Sequence, residues 1–302
     1  MTLPHLTRTE IIQRLGPSFG AAHGARVECV SRTGVGPWQS DDLVFRTQSG
    51  AEIPATFVHP PADTAPVPAV LYCHAHGANY PVGRTELTDG RKALIGPYLG
   101  DLIRLGYAVL CVEMPCFGAR QDLDESTLAK AALWRGDTLF GQMLGELLMG
   151  LDFLSDHPQI DPARIATLGL SMGGTHAWWL AALDPRIKAA ASLCCLADLA
   201  RLIESGAHDG HGQYMTVPGL VATISTGHLA GLTAPRAQLV CVGLQDWSTP
   251  KPAFEQARVD LEASYAAIGA SDALEFFVDP DLGHEETPQM RAYVLDFLTR
   301  RL

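Results

Sequence analysis

The spacing of apolar residues along this chain changes character once. Over residues 27–32, 42–47 and 52–59, apolar and polar positions alternate, which is the two-residue period of strands with one wet face. A turn-rich break, Pro60-Pro61-Ala62-Asp63-Thr64-Ala65-Pro66, ends this stretch. Beyond it, continuous apolar runs at 68–73, 107–112, 164–170, 187–194, 239–244 and 274–278 read as buried strands. Helical periodicity falls between them at 91–105, 138–155, 173–183 and 252–268, and 287–300 closes the chain. Glu146 and Asp152 interrupt the long apolar 138–155 stretch and make it amphipathic. Alternating strands and helices of this kind predict an α/β fold with a mostly parallel sheet, mixed at its antiparallel start, and helices on both faces. No repeat, low-complexity tract or charged linker divides the chain. We therefore expect one domain over 1–302, with 1–25 an outer helix and loop and 199–234 a lid-like excursion between two sheet strands.

Composition narrows the partners. The formal charge is −11, from 22 basic and 33 acidic side chains, and no Lys/Arg block offsets it, so a nucleic-acid partner is not expected. Seven cysteines lack a framework spacing and several sit in apolar runs, which predicts reduced, buried thiols. The start, MTLPHLTRTEIIQRLG, carries charges where a signal peptide needs apolar residues, and no run of about 18 apolar residues exists to span a membrane. These features predict a cytoplasmic protein with no membrane partner. Oligomeric state is not legible.

In a parallel sheet, chemistry belongs at the C-terminal strand ends. Gly169-Leu170-Ser171-Met172-Gly173 lies at one such end and fits G-x-S-x-G between a strand and a helix. A nucleophile there stands on a tight turn, and side chains at the flanking glycines would collide with the neighbouring elements. A hydroxyl needs a base. Of eleven histidines, only His284 directly follows the last predicted strand, with Gly283 letting the loop approach closely. The imidazole needs an orienting carboxylate, and Asp246 follows the penultimate strand; Asp198, after another strand, is the second choice. The order Ser, Asp, His is that of the hydrolases with this elbow.

Developing negative charge also needs donors. Met172 N–H opens a helix, where backbone donors are free. In His74-Ala75-His76-Gly77-Ala78-Asn79, after the first parallel strand, the His76 N–H is the favoured second donor of an oxyanion hole. Each such donor contributes about 3–4 kcal/mol. His74 and His76 also form an H-x-H pair, but few acidic partners lie nearby, so no metal is expected.

With these residues in place the chain resembles the α/β-hydrolase superfamily, and within it the dienelactone hydrolase and acetyl-xylan-esterase-like branch. The likeness covers about residues 65–300 and rests on His74-Ala75-His76-Gly77, the Gly169–Gly174 elbow, Ala234-Pro235-Arg236, Asp246 and Gly283-His284. It implies an eight-stranded mixed sheet, no cofactor, and hydrolysis through an acyl-enzyme. Dienelactone hydrolases use a cysteine nucleophile, whereas position 171 is serine, which favours an ester over a dienelactone.

The excursion leaves a strand's C-terminal end, so it should lean over Ser171. His208, His211 and Tyr214 within it, together with His74, Trp134 and Trp247, are candidates for substrate contact, as is Asp209. Glu113 reads as a buried structural carboxylate, and Cys116 has no base aimed at it. Arg84, Arg91 and Arg135 are equal candidates for a substrate carboxylate. The expected function is cleavage of a small-molecule carboxylic ester by Ser171, His284 and Asp246, with Met172 and His76 holding the oxyanion. The alternatives are a peptidase or amidase with the same residues, and a non-catalytic binding protein of this fold.

Overall fold

The computed structural model describes residues 7–20 and 24–302; the remaining parts of the expected N-terminal helix and loop, 1–6 and 21–23, lie outside the described residues. Thr7 caps α1 (Arg8–Leu15) in a reciprocal capping box with Glu10. Three antiparallel strands follow, β1 (Arg26–Val35), β2 (Trp38–Arg46) and β3 (Glu52–His59). Next come β4 (Val67–Cys73), α2 (Glu86–Asp89), α3 (Leu99–Arg104) and β5 (Ala108–Val112). The chain continues through α4 (Glu125–Trp134), α5 (Leu139–Asp156), β6 (Ile160–Leu170), α6 (Met172–Leu183) and β7 (Ile187–Leu193). The excursion folds into α7 (Leu199–Ser205), short turns and α8 (Thr226–Gly231). Then β8 (Ala237–Gly243), α9 (Lys251–Ala266), β9 (Leu274–Asp279) and α10 (Pro288–Arg301) complete the fold.

Among the described residues, nine strands form one sheet in the order β1-β2-β3-β5-β4-β6-β7-β8-β9, antiparallel up to β5 and parallel from there on. This is one strand more than the eight that the resemblance implies. The addition is β1, which pairs only with β2 and has no buried residue along its length.

Successive strand residues point to opposite faces, so each strand feeds two cores. Leu71, Leu110 and Val240 pack with Leu144, Leu147 and Leu180 of α5 and α6. Val70, Tyr72, Val109 and Leu239 pack with Leu102 of α3 and Val294 and Phe297 of α10. Helices therefore cover both faces, as the continuous apolar runs require.

Several helices depart from expectation, among them α2, α7 and α8, which no periodicity predicts. The predicted 91–105 helix is reduced to α3, because Gly96-Pro97 removes a backbone donor and biases the preceding residue away from helical geometry. The unpredicted α4 starts where the Asp124 side chain accepts Thr127 N–H at 2.7 Å, a capping signal unsupported by a strong apolar stripe. Among the described residues, no helix is long and apolar enough to cross a membrane.

The strand order also places the site. From β4 the chain moves to β5 on one side, then crosses to β6 on the other. The C-terminal ends of β4 and β6 therefore flank a topological switch point, where a crevice opens. Cys73 and Gly169 are paired across these two strands, so the loop at 74–79 and the turn at Ser171 leave the sheet side by side.

Candidate active site

Ser171 has φ 57 and ψ −121, a conformation non-glycine residues rarely adopt. Its backbone N–H donates to Leu193 O at 2.8 Å and its carbonyl accepts Thr175 N–H at 2.9 Å, which hold the turn between β6 and α6. A Cβ on Gly173 would run into the Cys73 carbonyl, and one on Gly169 into the Gly173 backbone. The glycines are there for close approach, and the serine takes the strained position.

Asp246 and His284 come from the loops after β8 and β9. Nδ1 of His284 lies 2.8 Å from Oδ2 of Asp246, whose residue is 2% exposed. The other carboxylate oxygen accepts the Ser248 N–H at 2.7 Å and hydroxyl at 2.8 Å. That hydroxyl also sits 2.9 Å from Nδ1 of His284, so Ser248 bridges acid and imidazole. The sequence reading passed over Ser248; its only local signal is a hydroxyl two residues after an acid at a strand end. The close approach expected at Gly283 occurs instead at Gly243, where a Cβ would meet the Leu282 carbonyl, while one at Gly283 would meet nothing within 4 Å. Asp198 is spent elsewhere: it caps α7 by accepting Arg201 N–H at 3.1 Å.

Ser171, His284 and Ser248 open on one cavity of about 610 Å³, together with Met172 and the 76–79 loop. Met172 and His76 line the same cavity as Ser171, and neither N–H has an acceptor among the described hydrogen bonds. Cys194 lies beneath, its sulfur within 4.8 Å of ligand atoms of both Asp246 and His284. This trio has the spacing of a metal site. However, Asp246 and His284 are already hydrogen-bonded to each other, burial and then the Asp246 charge push the Cys194 thiol well up, and it donates to Glu285 O at 3.7 Å.

The remaining candidates separate. His211, Tyr214 and Trp247 line the Ser171 cavity, as does His76. His208 and Asp209 do not; they line a second cavity of about 550 Å³ behind the excursion, which shares Leu202, His211, Gly212 and Met215 with the first. His74 does not reach the cavity either. It is fully buried, its Nε2 accepts Met114 N–H at 3.1 Å, and burial, outweighing the opposing hydrogen bond to the Ala75 carbonyl, lowers its pKa to about 3. His74 is thus a neutral strut between two loops. Trp134, 87% exposed at the end of α4, is absent from the cavity wall.

Of the three arginines, Arg91 lines the cavity, paired with buried Glu86 and donating to Ala75 O at 2.9 Å. Arg84 is committed to Asp42 at 2.6 Å and Thr56 at 2.7 Å. Glu113 accepts Arg84 N–H at 2.6 Å and Ala119 N–H at 3.2 Å, binding loops together. Burial, ahead of the Glu125 charge, pushes the Cys116 thiol up to about 12, so it is no nucleophile near neutral pH.

Comparison with known proteins agrees with this architecture. Solved structures match over nearly the whole chain. Acetyl xylan esterase 1 from Thermoanaerobacterium sp. JW/SL YS485 superposes with a TM-score of 0.72 at 17% identity, covering 99% of this chain and 95% of that one. A glucuronoyl esterase from Solibacter usitatus matches at 0.67 and 15%, covering 97% and 91%. The fold is that of the α/β-hydrolases. Residues 97–198 match the Dienelactone hydrolase family. YtaP of Bacillus subtilis (strain 168), which bears the name of a hydrolase, is 39% identical over 263 residues, 87% of this chain and 88% of that protein. The chain belongs to the dienelactone hydrolase family.

Proposed function

We propose that this protein is a serine esterase that cleaves carboxylic esters through an acyl-enzyme. The Ser171 hydroxyl attacks the ester carbonyl while His284 Nε2 takes its proton, and Asp246 holds the imidazole through Nδ1. Negative charge on the carbonyl oxygen is met by the N–H groups of Met172 and His76. The leaving alcohol takes the proton back from His284. Water deprotonated by the same imidazole then attacks the acyl carbonyl, and the acid and free Ser171 are regenerated. No bound cofactor is called for in these steps.

One observation carries the reading: a strained serine, a carboxylate-bound imidazole and two unoccupied backbone donors share a cavity at the switch point of the sheet. Small acyl groups are the first substrates to test, because acetyl esters appear in the names of the solved relatives. The seven free cysteines, five of them buried, suit a reducing compartment such as the cytoplasm.

Replacing Ser171 with Ala should lower kcat on p-nitrophenyl acetate by at least about a thousandfold and abolish labelling by a fluorophosphonate. Undiminished turnover in Ser171→Ala would refute the mechanism. Turnover of the matching p-nitroanilide at a rate comparable to the ester would instead identify an amidase.

A further inference from the structure

Glu125, the first residue of α4, is a buried carboxylate that the proposed chemistry does not use. A buried charge persists only when its oxygens are satisfied. Its Oε2 accepts from His76 Nε2 at 2.5 Å and from the Tyr80 hydroxyl at 3.1 Å, and its Oε1 accepts the Tyr214 N–H at 3.0 Å. Among the described residues, no arginine or lysine pairs with it; its partner is the His76 imidazole. Burial raises its pKa, but the hydrogen bond and charge of His76, with the donors from Tyr214 and Tyr80, outweigh this and leave it lowered.

The His76 ring is fixed from every side. Its Nδ1 accepts the Ala78 N–H at 3.0 Å, so the proton sits on Nε2 and is donated to Glu125. Tyr214 stacks on one face with centroids 5.7 Å apart, while Tyr80 at 5.2 Å and Phe117 at 5.1 Å meet the ring edge-on. Gly212 also makes room for this arrangement. A Cβ there would stand 2.8 Å from Glu125 Oε1 and 3.0 Å from His76 Nε2.

We propose that Glu125 is a positioning residue for the oxyanion donor: through the His76 imidazole it sets where the His76 N–H points, and through Tyr214 it joins that loop to the excursion. This rests on the reading of Ser171 as nucleophile and His76 N–H as donor. The physical reason is the steep dependence of transition-state stabilisation on geometry, where a displacement of about 1 Å costs on the order of a hundredfold in rate. The loop from His74 to Asn79 has no secondary structure of its own, so an anchor outside it must supply the rigidity.

The test uses the full-length protein, p-nitrophenyl acetate, and phenylboronic acid, which bonds through boron to the Ser171 oxygen and places a hydroxyl in the oxyanion position. Glu125→Ala should lower kcat by about ten- to a hundredfold with KM changed less than about threefold, and weaken phenylboronic acid binding by a similar factor. Glu125→Gln, which keeps an acceptor but turns an amide toward one of the three donors, should fall between Ala and the parent. Gly212→Ala removes no polar group, and Gly212 at φ −63 and ψ 145 accepts a side chain without backbone strain, so it disturbs the Glu125–His76 contact, and the Tyr214 ring 2.7 Å away, by crowding alone. It should show the same kcat loss with KM retained, and it decides the matter if Glu125→Ala does not fold. Parent kcat in both Glu125→Ala and Gly212→Ala overturns the proposal. So does a lost kcat with phenylboronic acid binding intact. If Ser171→Ala is inactive while the Glu125 and Gly212 variants are normal, this inference fails alone; if Ser171→Ala is active, the underlying reading fails.

Discussion

The cavity has two walls of different construction. On one, Ser171, Asp246 and His284 each stand within five residues of a strand's last residue, and the register of β6, β8 and β9 brings their backbones together. On the other, the 76–79 loop, α4 and the excursion meet through side chains that converge on Glu125. Backbone ladders are many, cooperative and insensitive to single side chains, whereas a side-chain hub is as strong as its few hydrogen bonds. The first wall should therefore fail abruptly in chemistry and the second by degrees in geometry.

That contrast can be broken by mutation. The largest effect should come from Asp246→Asn, which presents an amide to His284 and favours the wrong tautomer: kcat on p-nitrophenyl acetate should fall about ten-thousandfold with little change in KM. A loss under tenfold would show that the first wall does not work as a unit. Ser248→Ala should cost about tenfold in kcat, because Asp246 keeps the backbone N–H of residue 248 while the imidazole loses one of two Nδ1 contacts.

A smaller effect concerns stability. His74 and His176 are fully buried, and burial first, then neighbouring charge, lowers both to about 3. Between their ordinary value near 6.5 and about 3, the unfolded chain binds protons that the folded chain does not, so stability falls as pH drops through that window. Among the described residues, His176 has no hydrogen-bond partner on either ring nitrogen, and it stacks on Phe140 at 5.5 Å, so His176→Phe loses no hydrogen bond found there. Urea denaturation from pH 7 to 4.5 should show the variant gaining on the parent by up to about 1.4 kcal/mol per pH unit below 6.5. Parallel curves would refute neutral burial of His176. The smallest effect should be that of Trp134→Ala, which should leave kcat/KM within about twofold, since that side chain lies outside the cavity.

The same contrast governs what was readable beforehand. Ser171, Asp246 and His284 were legible because each follows an apolar run that can only be a buried strand, and strands of a parallel sheet deliver their ends to one edge. Glu125 was not legible. It lies in a helix with a weak apolar stripe, 49 residues from His76 and 89 from the Tyr214 amide that it accepts. His74 and His76 are two residues apart and look equivalent in sequence. Inside the loop, however, the two rings point to different neighbours, one to the Met114 amide and one to Glu125. Trp134 stands outside the cavity because it is the last residue of α4, and no sequence signal marks which way such a residue faces.

By itself the sequence determined the layered α/β fold, the strands and most of the helices, and the three strand ends that carry Ser171, Asp246 and His284. These follow from apolar periodicity and turn chemistry, which act over a few residues. Only the tertiary structure decided which polar side chains face the cavity, that Ser248 bridges Asp246 and His284, and that Glu125 anchors His76. Those contacts join segments far apart in the chain, and their partners are chosen by where packed elements come to rest rather than by any local pattern.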